Sequence, residues 1–257
     1  MQVPPTHYPS RMTGSNSSGT ASYRRLDVAR RRAQLIRAAL GLFAHRAPED
    51  VSLDDVAVAA EVSRPLVYRY FPGGKTQLYE AALGSAVAEL TQCFAVPEEG
   101  PLTRRLAGAL DRYLAFVDEH DAGFSALLRS GSVVATSRTG AIVDEVRRSA
   151  AGHILAHLRV PEPGVRLRMA VRTWITAVEG ASLTWLDEGK QPAVEELRDW
   201  LVDHFVALLL ATAARDAQTA RVAAAALALE PADGAVASLA RRTVALLTEA
   251  EHLLPAP

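Results

Sequence analysis

Cysteine is nearly absent. The chain of 257 residues has one, Cys93. A lone thiol excludes an intrachain disulfide and a cysteine-built zinc site, and it fits a reducing cytoplasm. Long apolar runs are missing as well: the longest, from Phe205 to Ala214, falls well short of the roughly 20 residues that span a bilayer. No membrane partner is therefore expected. No continuous apolar stretch follows the first charges, so no secretory signal is expected at the start. The alternating β-branched pattern of strands is scarce. GxSxG, the phosphate-binding loop and GxGxxG do not occur, which removes the commonest signatures of hydrolases and nucleotide enzymes.

Neither sign of charge dominates. The formal net charge is −1 and selects no partner. Its distribution says more, because residues 1–80 hold 11 basic and 7 acidic side chains and the remainder 17 and 22. A basic front and an acidic back place any polyanion contact at the front.

Alanine is abundant and apolar residues recur at helical spacing almost throughout, so the expected fold class is all-α. Residues 1–22, rich in Pro, Ser, Thr and Gly, read as a disordered tail. A first helix is expected over Leu26–His45, with Leu35, Ile36, Ala39, Leu40 and Phe43 as its apolar stripe. Ser52 reads as an N-cap with Asp55 three residues on, opening a helix over Leu53–Ala60. Ser63 caps the next, which carries Pro65 in its first turn and ends at Pro72-Gly73-Gly74. Another helix follows from Lys75 to Phe94. Further helices are expected over 101–119, 121–130, 137–159, 163–188 and 192–214, then 216–229 and 235–253, divided at prolines and glycines. No internal repeat is present. The domain reading is a tail over 1–22, a small unit over 23–83, a large helical unit over 84–214 and an extension over 215–257.

Two short helices joined by Glu61-Val62-Ser63, behind a longer one, have the layout of a helix-turn-helix. The second helix of such a unit enters the major groove. Val62, Val67 and Phe71 would face inward; Arg64, Pro65, Leu66, Tyr68, Arg69 and Tyr70 would face outward. A guanidinium at Arg64 or Arg69 can give two donors to a guanine edge, and Pro65 and Leu66 can touch thymine methyls. Tyr68 and Tyr70 can bond phosphates. Ser52 and Lys75 sit at helix N-termini, where backbone N–H groups already favour an anion. The basic stretch YRRLDVARRR, residues 23–32, suits an arm over the DNA backbone, with Arg24 and Arg25 foremost.

The stretch VSLDDVAVAAEVSRPLVYRYFPGGKTQLYEAAL, with LIRAALGLFAHR before it, resembles the DNA-binding domain of TetR-family transcriptional regulators. The Tyr-x-x-Phe spacing of the second helix, the Gly/Lys exit and Leu78 appear in the family's order. The resemblance covers about residues 30–83. It implies base or near-base contacts from Arg64, Pro65, Leu66 and Arg69, and phosphate contacts from Ser52, Tyr68, Tyr70 and Lys75. One departure is present: the family places its lysine three residues after the phenylalanine, whereas Lys75 lies four after Phe71.

The resemblance also implies that the larger half binds a small effector and makes a homodimer, which would read a palindromic operator in double-stranded DNA. The partners expected are therefore that DNA, a second copy and a small, largely apolar molecule. Candidates to line its pocket are Phe94, Leu110, Tyr113, Phe116, Val117, Phe124, Leu127, Leu128, Val143 and Trp174, with Tyr113, His120 and Arg147 as polar anchors. Candidates for the dimer face are Ile175, Val178, Gly180, Ala181 and Trp185 in one long helix and Leu197, Leu201, Phe205 and Leu208 in the next. No cofactor and no metal is expected. His153 and His157 stand four apart, but no HExxH motif completes them, which weighs against an enzyme. A helical interaction module, or a small-molecule enzyme on a helical scaffold, are the alternatives. The reading is a ligand-responsive regulator, a repressor rather than an enzyme, working in the cytoplasm.

Overall fold

The structure is a computed structural model that describes residues 18–94, 99–128 and 137–249. The described residues form helices and no strand. Residues 1–17, most of the expected tail, lie outside the described residues. Helix α1 (Ser18–His45) starts earlier than the pattern predicts, so residues 18–22 are helical rather than part of a disordered tail. Ala, Arg and Leu between Ala21 and Arg25 and beyond are good helix formers, and propensity carries the helix past its apolar stripe. The side chains of Arg24 and Arg25 lie outside the described part.

Three further helices complete a small head: α2 (Leu53–Ala59), α3 (Arg64–Tyr70) and the first turns of α4 (Gly74–Cys93). Leu35, Ala39 and Phe43 of α1 meet Val56 of α2, Val67 of α3, Phe71 and Leu78, all 4 % exposed or less. The Phe43 and Tyr79 rings pack edge-to-face, their centroids 5.0 Å apart. Between α2 and α3 the chain turns through Glu61 at φ 53°, a left-handed conformation uncommon outside glycine. The turn is held by Val62 N–H donating to the Ala57 carbonyl at 2.9 Å, while Gln34 Nε2 donates to the Ala60 carbonyl at 2.8 Å from α1.

The body comprises α5 (Leu102–Glu119), α6 (Asp121–Leu128), α7 (Ser137–His157), α8 (Val165–Asp187) and α9 (Val194–Ala213). Trp174 anchors it: its Nε1–H donates to the Leu201 carbonyl at 3.0 Å, and its ring meets Phe205 at 5.0 Å. The extension is two helices, α10 (Ala217–Leu227) and α11 (Ala235–Glu249). Asp216 caps α10 by accepting from Thr219 N at 2.9 Å, and Glu230 ties the end of that helix to α5 through Thr103 N and Oγ1 at 2.9 and 2.6 Å. Helix α11 lies beside α9, joined by an Arg242–Asp203 ion pair.

The expected dimer face needs correction. Ile175, Val178, Trp185, Leu197, Leu201 and Phe205 are all buried in the chain's own core, at 9 % exposure or less. Ala181 and Leu208 are half-buried against that core. Only Gly180 of the expected set is exposed. The most apolar stripe of each helix went to the intrachain core, and a different stripe faces outward.

Candidate nucleic-acid interface and cavity

A reciprocal capping box opens α2. Ser52 Oγ accepts from Asp55 N at 3.1 Å, and the Asp55 carboxylate accepts from Ser52 N at 2.8 Å. These bonds hold the Asp55 carboxyl below its ordinary range. The box fixes the entry of α2 and therefore the angle at which α3 follows it. Helix α3 then divides by helical period. Arg64, Pro65, Tyr68 and Arg69 are exposed; Leu66 and Tyr70 are half-buried; Val67 and Phe71 are buried. Tyr70, expected to face outward, is half-buried instead. It lies four residues from Leu66 and three from Val67, on the side that packs against the head core.

Arg64 lies against its neighbours. Its Nη1 pairs with Asp54 at 3.2 Å, and its guanidinium sits 5.6 Å from the Tyr68 ring centroid. The Tyr68 contact first, then Asp54, pushes the guanidinium pKa further up. Arg69 is exposed and has no ion pair among the described residues. Lys75, despite its shifted place, folds back so that Nζ donates to the Glu49 carbonyl at 2.9 Å. The extra residue is taken up at Gly74, whose φ of 68° favours glycine and whose N–H donates to the Phe71 carbonyl at 2.9 Å. Ser52, Arg64, Tyr68 and Lys75 thereby share one groove.

A cavity of about 160 Å³ lies between head and body. Phe94, Leu110, Tyr113, Phe116, His120, Phe124, Leu127, Leu128, Val143, Arg147 and Trp174 are on its wall. Val117 is not: it is fully buried on another side of α5. Ile175 and Val178, expected at a dimer face, line the cavity instead.

Family models match twice. The model described as bacterial regulatory proteins, tetR family, covers residues 35–82, and the one described as Tetracyclin repressor-like, C-terminal domain, covers residues 102–208. A solved tetR-family transcriptional regulator from Streptomyces coelicolor is 47% identical, with 86% of this chain and 98% of that one covered at a TM-score of 0.82. The chain belongs to the TetR family. It is a DNA-binding transcriptional regulator rather than an enzyme. A putative transcriptional regulator from Pseudomonas aeruginosa shares the fold at 19% identity and a TM-score of 0.56, covering 76% of this chain and 98% of that one. So does the regulator FadR from Bacillus subtilis, solved with stearoyl-CoA, at 15% identity and a TM-score of 0.52, covering 67% and 96%. A search of curated proteins finds no match.

The pattern of the sequence did not reach several cavity residues of this TetR-family chain. Leu40, Phe43 and Ala44 of α1, and Tyr79, Ala82 and Leu83 of α4, wall the cavity from the head side. They read as ordinary head core because nothing local tells a side chain facing packed atoms from one facing a void. Burial pushes the Tyr79 phenol up to about 12, so it stays protonated near neutral pH. His120 Nδ1 and His153 Nδ1 lie 3.0 and 2.8 Å from the Phe116 and Ser149 carbonyls. A carbonyl only accepts, so each Nδ1 donates. His157 Nδ1 lies 2.9 Å from Arg105 Nη1 and must accept. Among the described residues no group of three His, Cys, Asp or Glu side chains could hold a metal ion.

The DNA-facing assignment separates two kinds of mutant. The Arg64–Asp54 pair is exposed and weak, whereas a bidentate guanine contact is stronger, so Arg64 is free to exchange that partner for a base edge. Arg64→Ala is expected to lower operator affinity by roughly ten- to a hundredfold and relax preference at one base pair. Tyr68→Phe is expected to weaken good and poor sites alike. Fluorescence anisotropy on an operator and its single-base variants checks both; equal behaviour of the two mutants across that panel would refute the division.

Proposed function

We propose that the protein is a repressor that binds a palindromic operator as a homodimer and leaves it when a small, largely apolar effector fills the cavity. One observation carries this reading: the cavity wall is shared between the head, through α1 and α4, and the body, through α5 to α8. Helix α4 runs from Lys75 in the DNA-facing groove to Leu90 and Phe94 at the cavity. A ligand that packs better when α4 is displaced binds the DNA-incompetent arrangement more tightly, and only such a difference shifts the equilibrium. Fragments of genomic DNA retained by the purified protein would give the operator, and its symmetry would report the dimer. DNA affinity that stays unchanged across a broad panel of apolar ligands would refute effector control.

The dimer reading rests on the outward stripe of α8 and α9. Val165, Met169, Thr173, Thr176, Gly180 and Thr184 are exposed along α8, and Trp200, Ala207 and Leu210 along α9. Met169 is 61% exposed and Trp200 54%, unusual for side chains of that size on helices otherwise well packed. The small residues Gly180 and Ala207 allow a partner helix close approach. Two recognition helices related by a two-fold axis supply the specificity that one lacks. Light scattering is expected to give a dimer at micromolar concentration and a monomer for Trp200→Glu with Met169→Glu. A wild-type monomer, or an unaffected double mutant, would remove this face from the reading. No helix among the described residues is long and apolar enough to cross a membrane. A regulator that works on DNA would act in the cytoplasm, and this reading assigns it there.

A further inference from the structure

Helix α11 is amphipathic, yet only its first half is packed. Val236, Ala240, Thr243, Val244 and Leu247 recur at spacings of three and four and share one face. Leu239 and Leu246 flank it. Ser238, Arg242 and Ala245 stand on the opposite side, where Ser238 Oγ accepts from Arg242 Nη1 at 3.2 Å. Val236 and Leu239, at the start of the apolar face, are half-buried. Beyond them the helix runs off the body: every side chain from Ala240 to Thr248 is exposed. Val244, Leu246 and Leu247 are exposed by 59, 67 and 40%.

Such a helix does not hold itself. Helix α11 has 15 residues, and an isolated helix of roughly 12–15 residues is marginal in water. Most helices in proteins are held by burying an apolar face, and here the outer half of that face is uncovered among the described residues. Large apolar side chains grouped in this way mark a contact surface. The family model that covers the body ends at residue 208, so α11 is an addition to it.

Its place points to what covers it. An Arg242–Asp203 ion pair ties α11 to α9. Asp203 lies three residues after Trp200 and four before Ala207, within the outward stripe of α9. Helix α11 therefore borders the face on which the dimer reading rests, and a copy seated on that face meets it. The copy brings exposed Met169, Trp200 and Leu210, apolar surface that likewise needs covering. A lipid surface fits less well. Helices that lie on membranes are rich in Lys and Arg on their polar side, whereas α11 has no lysine and two arginines, one of them paired with Asp203.

We propose that α11 is an arm whose outer apolar face, Val244, Leu246 and Leu247, packs on a second copy of the chain and extends the α8–α9 contact. This rests on the dimer reading given above.

Sedimentation velocity and hydrogen exchange on the full-length protein test it. Val244→Glu with Leu247→Glu is expected to raise the dimer dissociation constant at least tenfold. Ala245→Glu, on the opposite side of the helix, is expected to change it less than threefold. Amides over 240–248 are expected to exchange at least tenfold more slowly in the wild-type dimer than in the Trp200→Glu, Met169→Glu monomer. A dimer indifferent to the Val244/Leu247 pair, or weakened equally by Ala245→Glu, overturns the arm and leaves the α8–α9 dimer standing. Protection of 240–248 that persists in the monomer would show that α11 packs on its own chain, and overturns it too. A wild-type monomer is a separate failure, which removes the dimer reading and the arm with it.

Discussion

Phe71→Ala is expected to abolish operator binding by loosening the head. The ring is completely buried where α3 ends, and the Arg32 guanidinium of α1 lies 5.1 Å from its centroid. It therefore joins α1, α3 and the start of α4 at one point. Truncating a buried phenylalanine costs roughly 3–5 kcal/mol, because the transfer term is lost and the void collapses only in part. A whole domain is stable by only about 5–15 kcal/mol, and the head is the smaller unit. The recognition helix has seven residues, too few to hold its own shape without that packing. Urea unfolding should show a lower midpoint, and anisotropy should show no operator complex at concentrations that saturate the wild type. Phe71→Leu should restore most of both. An alanine variant with a wild-type midpoint would show that Phe71 does not hold the head.

Gly123→Ala is expected to alter communication between body and head from a position on the cavity wall, without touching DNA. A Cβ at Gly123 would lie 2.5 Å from the Phe43 carbonyl oxygen and 3.4 Å from its carbon. Both are backbone atoms, so α1 and α6 must part; no rotamer change relieves the clash. Forcing such a contact costs roughly 1–3 kcal/mol. Phe43 and Ala44, at the affected end of α1, also wall the cavity. The added methyl should therefore displace the head as a unit, lowering DNA affinity without ligand by tenfold or more and shrinking the further loss that ligand causes. Gly152 is the control: it lies exposed in α7, a Cβ there would meet nothing within 4 Å, and Gly152→Ala should be neutral or slightly stabilising. If both variants bind DNA as the wild type does, the α1–α6 joint is not part of the coupling.

These two sites were legible to different degrees. Phe71 could be placed inward from sequence, because Val67 and Phe71 are four apart on one face of a short helix between Ser63 and Pro72; Ser63 stands at the N-cap position but its side chain makes no cap bond. The exposed face of that helix could be read from the complementary positions, except that Leu66 and Tyr70, both expected outward, are half-buried. Tyr70 carries a polar tip, but its angular position follows Leu66 and Val67, and angle outweighed composition. Gly123 gave no local signal, since a glycine in a helix has many possible reasons and its own is a carbonyl some eighty residues earlier in the chain.

By itself the sequence determined what depends on near neighbours: the helices, their breaks at proline and glycine, the capped turn into α2 and the two faces of the recognition helix. Those features follow from steric limits and hydrogen bonds within a few residues. Tertiary structure alone decided what each apolar face is buried against. Ile175, Val178, Leu201 and Phe205 form stripes that would suit a partner chain as well as a core, and periodicity is blind to the difference. Only packing turned those stripes inward and left Met169 and Trp200 outside. Packing likewise brought α1 and α4 of the head against α5 to α8, making one cavity from residues that no local pattern connects.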